Sequence, residues 1–298
     1  MKILNFGSLN IDHVYHLEHF VAAKETQAAL DYQRNVGGKG LNQSIALSRA
    51  GLDVMHAGKI GADGNILKDF LEKHHVDTSF VKQSEKASGH AIIQVVDGEN
   101  CIIVYGGANR DIDQTMINHV FDSFGPGDIL LAQNEINAIG TLLRKAREKD
   151  MRIILNPSPI NEELFSCPLS FCEMMILNEV EGAALAHLKE CSYETILHAL
   201  AQQYPQTHIV LTCGENGARA YLNGKFYYQK AYKAEVIDST CAGDTFTGFY
   251  IKAFLHGYSV QQALSIACRA SSFSIQKKGA AISIPLWDQV IFEEKGEL

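Results

Sequence analysis

With 298 residues, 46% of them hydrophobic and 20% charged, 24 Gly and 6 Pro, the chain has the make-up of a folded protein rather than a collagen, a disordered tail or a low-complexity array. It is long enough to bury a core without disulfide or metal staples. With 26 basic against 34 acidic residues the formal charge is −8, and no Lys/Arg stripe appears, so neither composition nor patterning suggests a nucleic-acid partner.

Along the chain, short apolar runs alternate with amphipathic stretches. Ile3–Leu9 predicts a first strand, and His13–His16 and Ala28–Val36 suggest further ones, followed by Val54–Ile60. Ile66, Leu67, Phe70 and Leu71 recur at helical spacing, with Asp63 placed to cap them. Ala91–Val96 and Cys101–Tyr105 flank Asp97-Gly98, a β-hairpin pattern. Strands at Ile129–Leu131, Ile153–Leu155, Met174–Leu177 and Ile209–Thr212 alternate with helices at Ile139–Lys149 and Glu194–Gln203. A second hairpin, Ala218–Tyr228, turns at Asn223-Gly224, and Phe246–Leu255 reads as an apolar helix.

Such alternation predicts an α/β fold, with a mainly parallel central sheet covered by helices on both faces. With no repeat and no linker-like run, residues 1–298 read as one domain. Segments near 13–36 and 89–105 are expected to form a small β lid. No apolar run approaches the ~18 residues of a membrane span, and no signal peptide is evident, so no membrane partner is expected. Seven cysteines without zinc-type spacing suggest a reducing, cytoplasmic compartment.

Two segments carry candidate chemistry. Asn35-Val36-Gly37-Gly38-Lys39-Gly40-Leu41-Asn42-Gln43-Ser44 places three glycines before a helix, where backbone can approach a ligand closely. It lacks Walker A spacing, and the glycine cluster by itself reads first as an ordinary tight turn; Lys39 and Asn42, which can both donate to hydroxyl groups, favour a functional role. In Val236-Ile237-Asp238-Ser239-Thr240-Cys241-Ala242-Gly243-Asp244-Thr245-Phe246, small residues lead into a helix, as in an anion cradle. Asp244 there either complements the helix dipole or acts as a base beside a phosphate.

These two segments resemble the signatures of the ribokinase-like (PfkB) carbohydrate kinases. Gly7-Ser8-Leu9-Asn10-Ile11-Asp12, Asn156-Pro157-Ser158-Pro159, Asn178-Glu179-Val180-Glu181, Thr212-Cys213-Gly214-Glu215-Asn216-Gly217 and Lys278-Gly279-Ala280 match further family motifs in the same order, nearly end to end. The resemblance implies a three-layer, Rossmann-like α/β fold with a β lid. It also implies transfer of the γ-phosphate of ATP to a primary hydroxyl of a sugar. Asn10, Asp12, Gly38, Lys39, Asn42 and Glu135 resemble the residues that hold the sugar, with Asp12 at the end of the first strand. Asp244 resembles the catalytic base, and the N–H groups of Cys241, Ala242 and Gly243 the anion hole. Asn178 and Glu181 match the motif that organises magnesium through its waters, and Thr212, Gly214 and Gly217 the segment lining ATP. Asp238, Thr240, Ser274, Lys277, Gly279 and Ser283 align with a monovalent-cation site, which implies activation by potassium.

Cys241 stands where the family usually has Gly or Ala, and Ser239 where it has Thr. Sugar-phosphate enzymes of the family tend to follow the signature asparagine with a Val-Ala-Arg-like run. Here Gln43-Ser44 follows, with Lys39 the only nearby cation, which favours a neutral sugar. D-ribose is the first expectation, with another pentose or hexose, or a nucleoside, as the alternative. A non-catalytic sugar- or nucleotide-sensing protein on the same fold is the rival from another class. The apolar hairpin would leave a face exposed, so a homodimer through the lid is expected. His13, His16 and His19 would not share a strand face and are not read as a zinc site. Glu162-Glu163 and Glu293-Glu294 read as solvated surface, and Trp287 as a packing residue.

Overall fold

The computed structural model describes residues 1–189 and 191–292; Glu293 and Glu294 lie outside the described residues. Among the described residues, thirteen strands and ten α-helices follow in chain order. The first part runs β1 (Ile3–Phe6), β2 (Asn10–His16), β3 (Asp31–Gly37), α1 (Lys39–Arg49), β4 (Val54–Ile60), α2 (Asn65–Lys73), β5 (Asp77–Gln83), β6 (Gly89–Val96) and β7 (Glu99–Tyr105). Next come α3 (Gln114–Phe121), β8 (Ile129–Gln133), α4 (Ile139–Glu148), β9 (Arg152–Asn156), α5 (Glu162–Phe165), β10 (Met174–Asn178), α6 (Glu179–Leu185) and α7 (Tyr193–Gln203). The chain continues with β11 (His208–Thr212), β12 (Ala218–Leu222), β13 (Lys225–Gln229), α8 (Ala242–Leu255), α9 (Val260–Ser274) and α10 (Trp287–Phe292).

A nine-stranded sheet has the order β13-β12-β11-β10-β9-β8-β1-β4-β5. Its strands pair in parallel from β5 to β11, and the β11–β12 and β12–β13 pairings are antiparallel. Apolar residues on these strands alternate between two cores, as the two-residue pleat requires. Ile3, Ile129 and Leu131 face the core under α1, α2, α8, α9 and α10. Leu4, Phe6 and Leu130 face the core under α3 to α7. Burial on both faces explains why these strands read as continuous apolar runs. Trp287 stacks on Phe249 at 5.8 Å between ring centroids, the packing role expected of it.

A separate four-stranded sheet has the order β3-β2-β6-β7. The pair β2–β6 is parallel and the outer pairs are antiparallel. At the β6–β7 turn, Asp97 (φ 49°) and Gly98 (φ 88°) both adopt the left-handed region, which suits the twist of a tight hairpin. Every residue of β7 is exposed.

Three local expectations are corrected. The first strand stops at Phe6, because the chain bends where helix α1 crosses it. A Cβ on Gly40 would lie 2.3 Å from the Ser8 nitrogen, and one on Gly7 would lie 2.7 Å from the Gly40 Cα. Asn10 and Asp12 therefore open the second strand, in the small sheet, rather than closing the first. Asp63 does not cap α2. Gly64 takes that place without a side-chain bond, and Asp63 instead accepts the Ser88 N–H at 2.9 Å. Ile66, expected on the buried face of α2, is 39% exposed.

Among the histidines, His13 meets the Tyr32 hydroxyl and His19 meets Glu25, so the two engage different partners. No helix among the described residues is long and apolar enough to cross a membrane.

Candidate active site

The parallel strands converge on the site with polar last residues: Gln133 of β8, Asn156 of β9, Asn178 of β10 and Thr212 of β11. Ligands of open α/β sheets bind at this carboxyl edge. Two helices point their N-termini here. Gly38, at φ 92°, turns the chain from β3 into α1, and Cys241, at φ 68°, turns it into α8. Neither turn residue caps its helix with its own side chain. In α1 the first N–H groups are taken, Lys39 by Glu135 and Gly40 and Leu41 by the hydroxyl and carbonyl of Ser8, so the anion-binding end is that of α8. At α8 the Ala242 N–H already reaches the Ser239 carbonyl, at 3.3 Å.

Asp244 sits in the first turn of α8 and is 8% exposed. Both of its carboxylate oxygens receive an amide proton from α1. Asn42 Nδ2 donates to Oδ2 at 3.0 Å, and Gln43 Nε2 donates to Oδ1 at 2.9 Å. Burial pushes the Asp244 carboxyl above the ordinary carboxylate range, against the opposing pull of Lys39, Gln43 and Asn42. For Lys39, burial works against the charged form, but the charges of Asp244, Glu135 and Glu181 prevail and hold the ammonium above its ordinary value. Burial raises the Cys241 thiol well above its usual range, so it is an inert packing thiol in the turn.

Several of the residues expected to hold the sugar meet beside the turn into α1. The Ser8 hydroxyl donates to Glu135 Oε2 in a short bond, and the Lys39 N–H donates to the same oxygen at 2.9 Å. Glu135 is raised by burial, against these donors. Asp12 is raised to about 6, first by burial and then by the charge of Glu135. No donor among the described residues reaches its carboxylate. At position 37 a Cβ would fall 2.2 Å from Asp12 Oδ2, so any residue but glycine there would displace this carboxylate. Asn10 is held by Asn109, whose Nδ2 donates to Asn10 Oδ1 at 2.7 Å while its Oδ1 accepts the Leu9 N–H at 3.0 Å.

A cleft of about 140 Å³ beside Asp244 brings together Lys39, Asn178, Glu181, Thr212, Cys241, Ala242 and Gly243. Gly214 and Gly217 do not line it. A wider, open depression of about 570 Å³ lies elsewhere, beside α2 and β5. Asn178 and Glu181 form a reciprocal helix cap: Asn178 Oδ1 accepts the Glu181 N–H at 2.8 Å, and Glu181 Oε2 accepts the Asn178 N–H at 3.0 Å. Of the expected cation ligands, Asp238, Thr240 and Gly279 are drawn together, because Asp238 Oδ1 accepts the Thr240 N–H and Oδ2 the Gly279 N–H, each at 2.9 Å. Burial raises Asp238, but these bonds and Lys278 outweigh it, leaving the carboxyl below its ordinary value. The Ser274 carbonyl accepts the Lys277 N–H at 3.2 Å, and the Ser283 hydroxyl donates to the Ala280 carbonyl at 2.8 Å.

Several contributors were given no site role from sequence: Ser8, Gln43 and Asn156, seen only within motifs, and Asn109, Asn5 and Gln133, not noticed at all. The signal was present in part, since Asn5 interrupts an otherwise apolar strand and Gln133 and Asn156 end apolar runs.

The model of the pfkB family carbohydrate kinases matches residues 1–287. A ribokinase of Staphylococcus aureus is 33% identical over 301 aligned positions, covering 97% of this chain and 98% of that protein. A ribokinase of Haemophilus influenzae is 31% identical over 290, covering 94% of each. Among solved structures, Arabidopsis thaliana ribokinase complexed with ribose and ATP superposes with a TM-score of 0.86 at 27% identity, covering 98% of this chain and 97% of that one. Thermotoga maritima ribokinase gives 0.87 at 28% identity, covering 99% of each.

Proposed function

Since the chain belongs to the pfkB family of carbohydrate kinases, we propose that it phosphorylates D-ribose at a primary hydroxyl, with ATP as phosphoryl donor. It is a phosphotransferase, and the observation that carries the mechanism is the placement of Asp244. The carboxylate stands in the same helical turn as the N–H groups of residues 241–243, beside the cleft, with both oxygens oriented by α1. A base and an anion-binding turn in this relation suit attack of a hydroxyl on a phosphoryl group. Asp244 accepts the hydroxyl proton as the sugar oxygen attacks the γ-phosphorus, and the bond from that phosphorus to the β,γ-bridging oxygen breaks, so that ADP leaves. The Cys241, Ala242 and Gly243 N–H groups and Lys39 offset charge on the transferring group. Asn42 Oδ1 is buried beside the base without a partner among the described residues, which fits a donor hydroxyl of the substrate.

Asn10, Asp12, Gly38, Lys39, Asn42 and Glu135 bind the sugar in this reading. The carboxylates of Asp12 and Glu135 would repel a substrate phosphate on that side, which supports a neutral sugar over a sugar phosphate. The small sheet serves as the lid of a single catalytic unit and excludes water, the competing acceptor. A non-catalytic sensor is disfavoured, since it would not need an oriented base in the anion-binding turn.

Thr212, Gly214 and Gly217 belong to the nucleotide side. Asn178 and Glu181 provide hard oxygen donors at the cleft and are the residues that would hold magnesium, directly or through water. When bound, magnesium would neutralise phosphate charge. Asp238, Thr240, Ser274, Lys277, Gly279 and Ser283 offer a carbonyl-rich set suited to potassium, behind the turn that carries the anion-binding N–H groups. On β7, Ile102, Ile103, Val104 and Tyr105 are 49–66% exposed, which supports a homodimer through the lid. All seven cysteines are free, in keeping with a cytoplasmic enzyme.

An ADP-release assay across pentoses, hexoses and nucleosides tests the reading. D-ribose should give the highest kcat/KM, and no ADP release with any acceptor would overturn it. Light scattering at micromolar concentration should report a dimer; a monomer would remove the lid interface.

A further inference from the structure

A chain of buried side-chain amides runs from the backbone of α1 to Asp244, and its direction is fixed. The Gly40 carbonyl can only accept, so Asn5 must turn Nδ2 toward it, and does so at 2.8 Å. Asn5 Oδ1 then accepts from Gln133 Nε2 at 3.0 Å. The same nitrogen donates to Gln43 Oε1 at 2.7 Å, which leaves Gln43 Nε2 facing Asp244 Oδ1 at 2.9 Å and Asn156 Oδ1 at 3.0 Å. Asn156 in turn is oriented by its Nδ2, which donates to the Ile176 carbonyl at 2.8 Å. Turning over the Gln133 amide would set its oxygen against the oxygens of both Asn5 and Gln43. In the observed orientation Gln133 Oε1 is the atom left without a partner among the described residues. Gln43 is 1% exposed and Gln133 and Asn5 are fully buried, so solvent cannot substitute for a lost link.

We propose that Gln43 is a positioning residue for phosphoryl transfer, its amide locked through Gln133 and Asn5 so that an N–H always faces the base. The inference rests on the reading of Asp244 as that base. The lock aims Oδ1 and favours the ionised carboxylate against the cost of burial. The other charged or titratable groups bearing on Asp244 are Lys39 from α1, Glu181 from α6, Glu135 from the segment after β8, and Cys241 at the turn into α8. Of these, Lys39 favours ionisation, whereas Glu181 and Glu135 oppose it.

The test is the pH profile of kcat at saturating D-ribose and magnesium-ATP, where the titration of Asp12 in the free protein no longer contributes, measured for wild type, Gln43→Met and Gln133→Met. Loss of a hydrogen bond to a charged group should move the acid limb of Gln43→Met to higher pH by about one unit, with kcat lowered about tenfold below that limb. The sugar KM should stay within about twofold. Gln133→Met does not touch Asp244, yet its limb should move the same way by less, since the Gln43 amide is freed to turn over. In wild type, the side-chain ¹⁵N resonance of Gln43 should titrate together with the acid limb, a readout that needs no variant to fold. Either an unmoved limb in folded Gln43→Met or a Gln43 resonance indifferent to that transition would overturn the proposal. Asp244→Asn separates the two readings: if it retains turnover, the base assignment itself fails. If it is inactive while Gln43→Met keeps the wild-type limb, only the positioning role fails.

Discussion

Asp244 and Asp12 are both carboxylates raised by burial, but their surroundings differ. Asp244 has two amide donors and the nearby Lys39. Asp12 has the like charge of Glu135 and no donor among the described residues. On the proposed reading, the phosphate side is thus organised before substrate arrives, and the sugar side is left for the substrate to complete. This division suits the chemistry. A base must be aimed when the hydroxyl arrives, whereas a binding carboxylate gains most when its donors come from the ligand.

Four changes would break or sharpen this contrast. Asp244→Asn should cost about 10²–10⁴ in kcat with sugar binding retained, and steady-state kinetics with a binding titration check both halves. Asp12→Ala should raise the sugar KM by roughly tenfold to a hundredfold, as loss of hydrogen bonds to a charged group would, and leave the ATP KM nearly unchanged. Lowering the pH should act on Asp12. Its carboxyl lies near 6 in the free protein, and only the ionised form accepts from two hydroxyls. The sugar KM should therefore rise below that value by up to about tenfold per pH unit and be flat above it. Asp12→Asn should abolish the rise. The smallest effect is expected from exchanging potassium for tetramethylammonium at equal ionic strength. It should lower kcat by about threefold to tenfold through the aim of the anion-binding turn; equal kcat would remove the cation site.

The large sheet was legible because its strands are buried on both faces and read as apolar runs. The β6–β7 hairpin was legible from Asp97-Gly98 between two apolar segments. Where the first strand ends was not legible, since the bend at Gly7 depends on the approach of Gly40 from a distant helix. For the same reason Asp63 was misread. Its position before a helix suggested a cap, and its partner, Ser88, lies 25 residues away. Asp12, Asn42 and Asp244 were visible through their motifs. The amide chain was not, because Gln133 meets its two partners across 90 and 128 residues of sequence. Gln43 was noticed only for what it excluded, a basic residue, and its contact with Asp244 spans 201 residues. The cap between Asn178 and Glu181 is a local pattern, yet its motif was read for magnesium alone.

The most direct test of the contrast counts protons on sugar binding. Titrating D-ribose calorimetrically at pH 5 in buffers of different ionisation enthalpy gives the number released. With Asp12 near 6 in the free protein and ionised beneath the sugar hydroxyls, wild type should release about one proton. Asp244→Asn should release the same, and Asp12→Asn none. Release that persists in Asp12→Asn, or disappears in Asp244→Asn, would contradict the assignment of binding to one carboxylate and catalysis to the other.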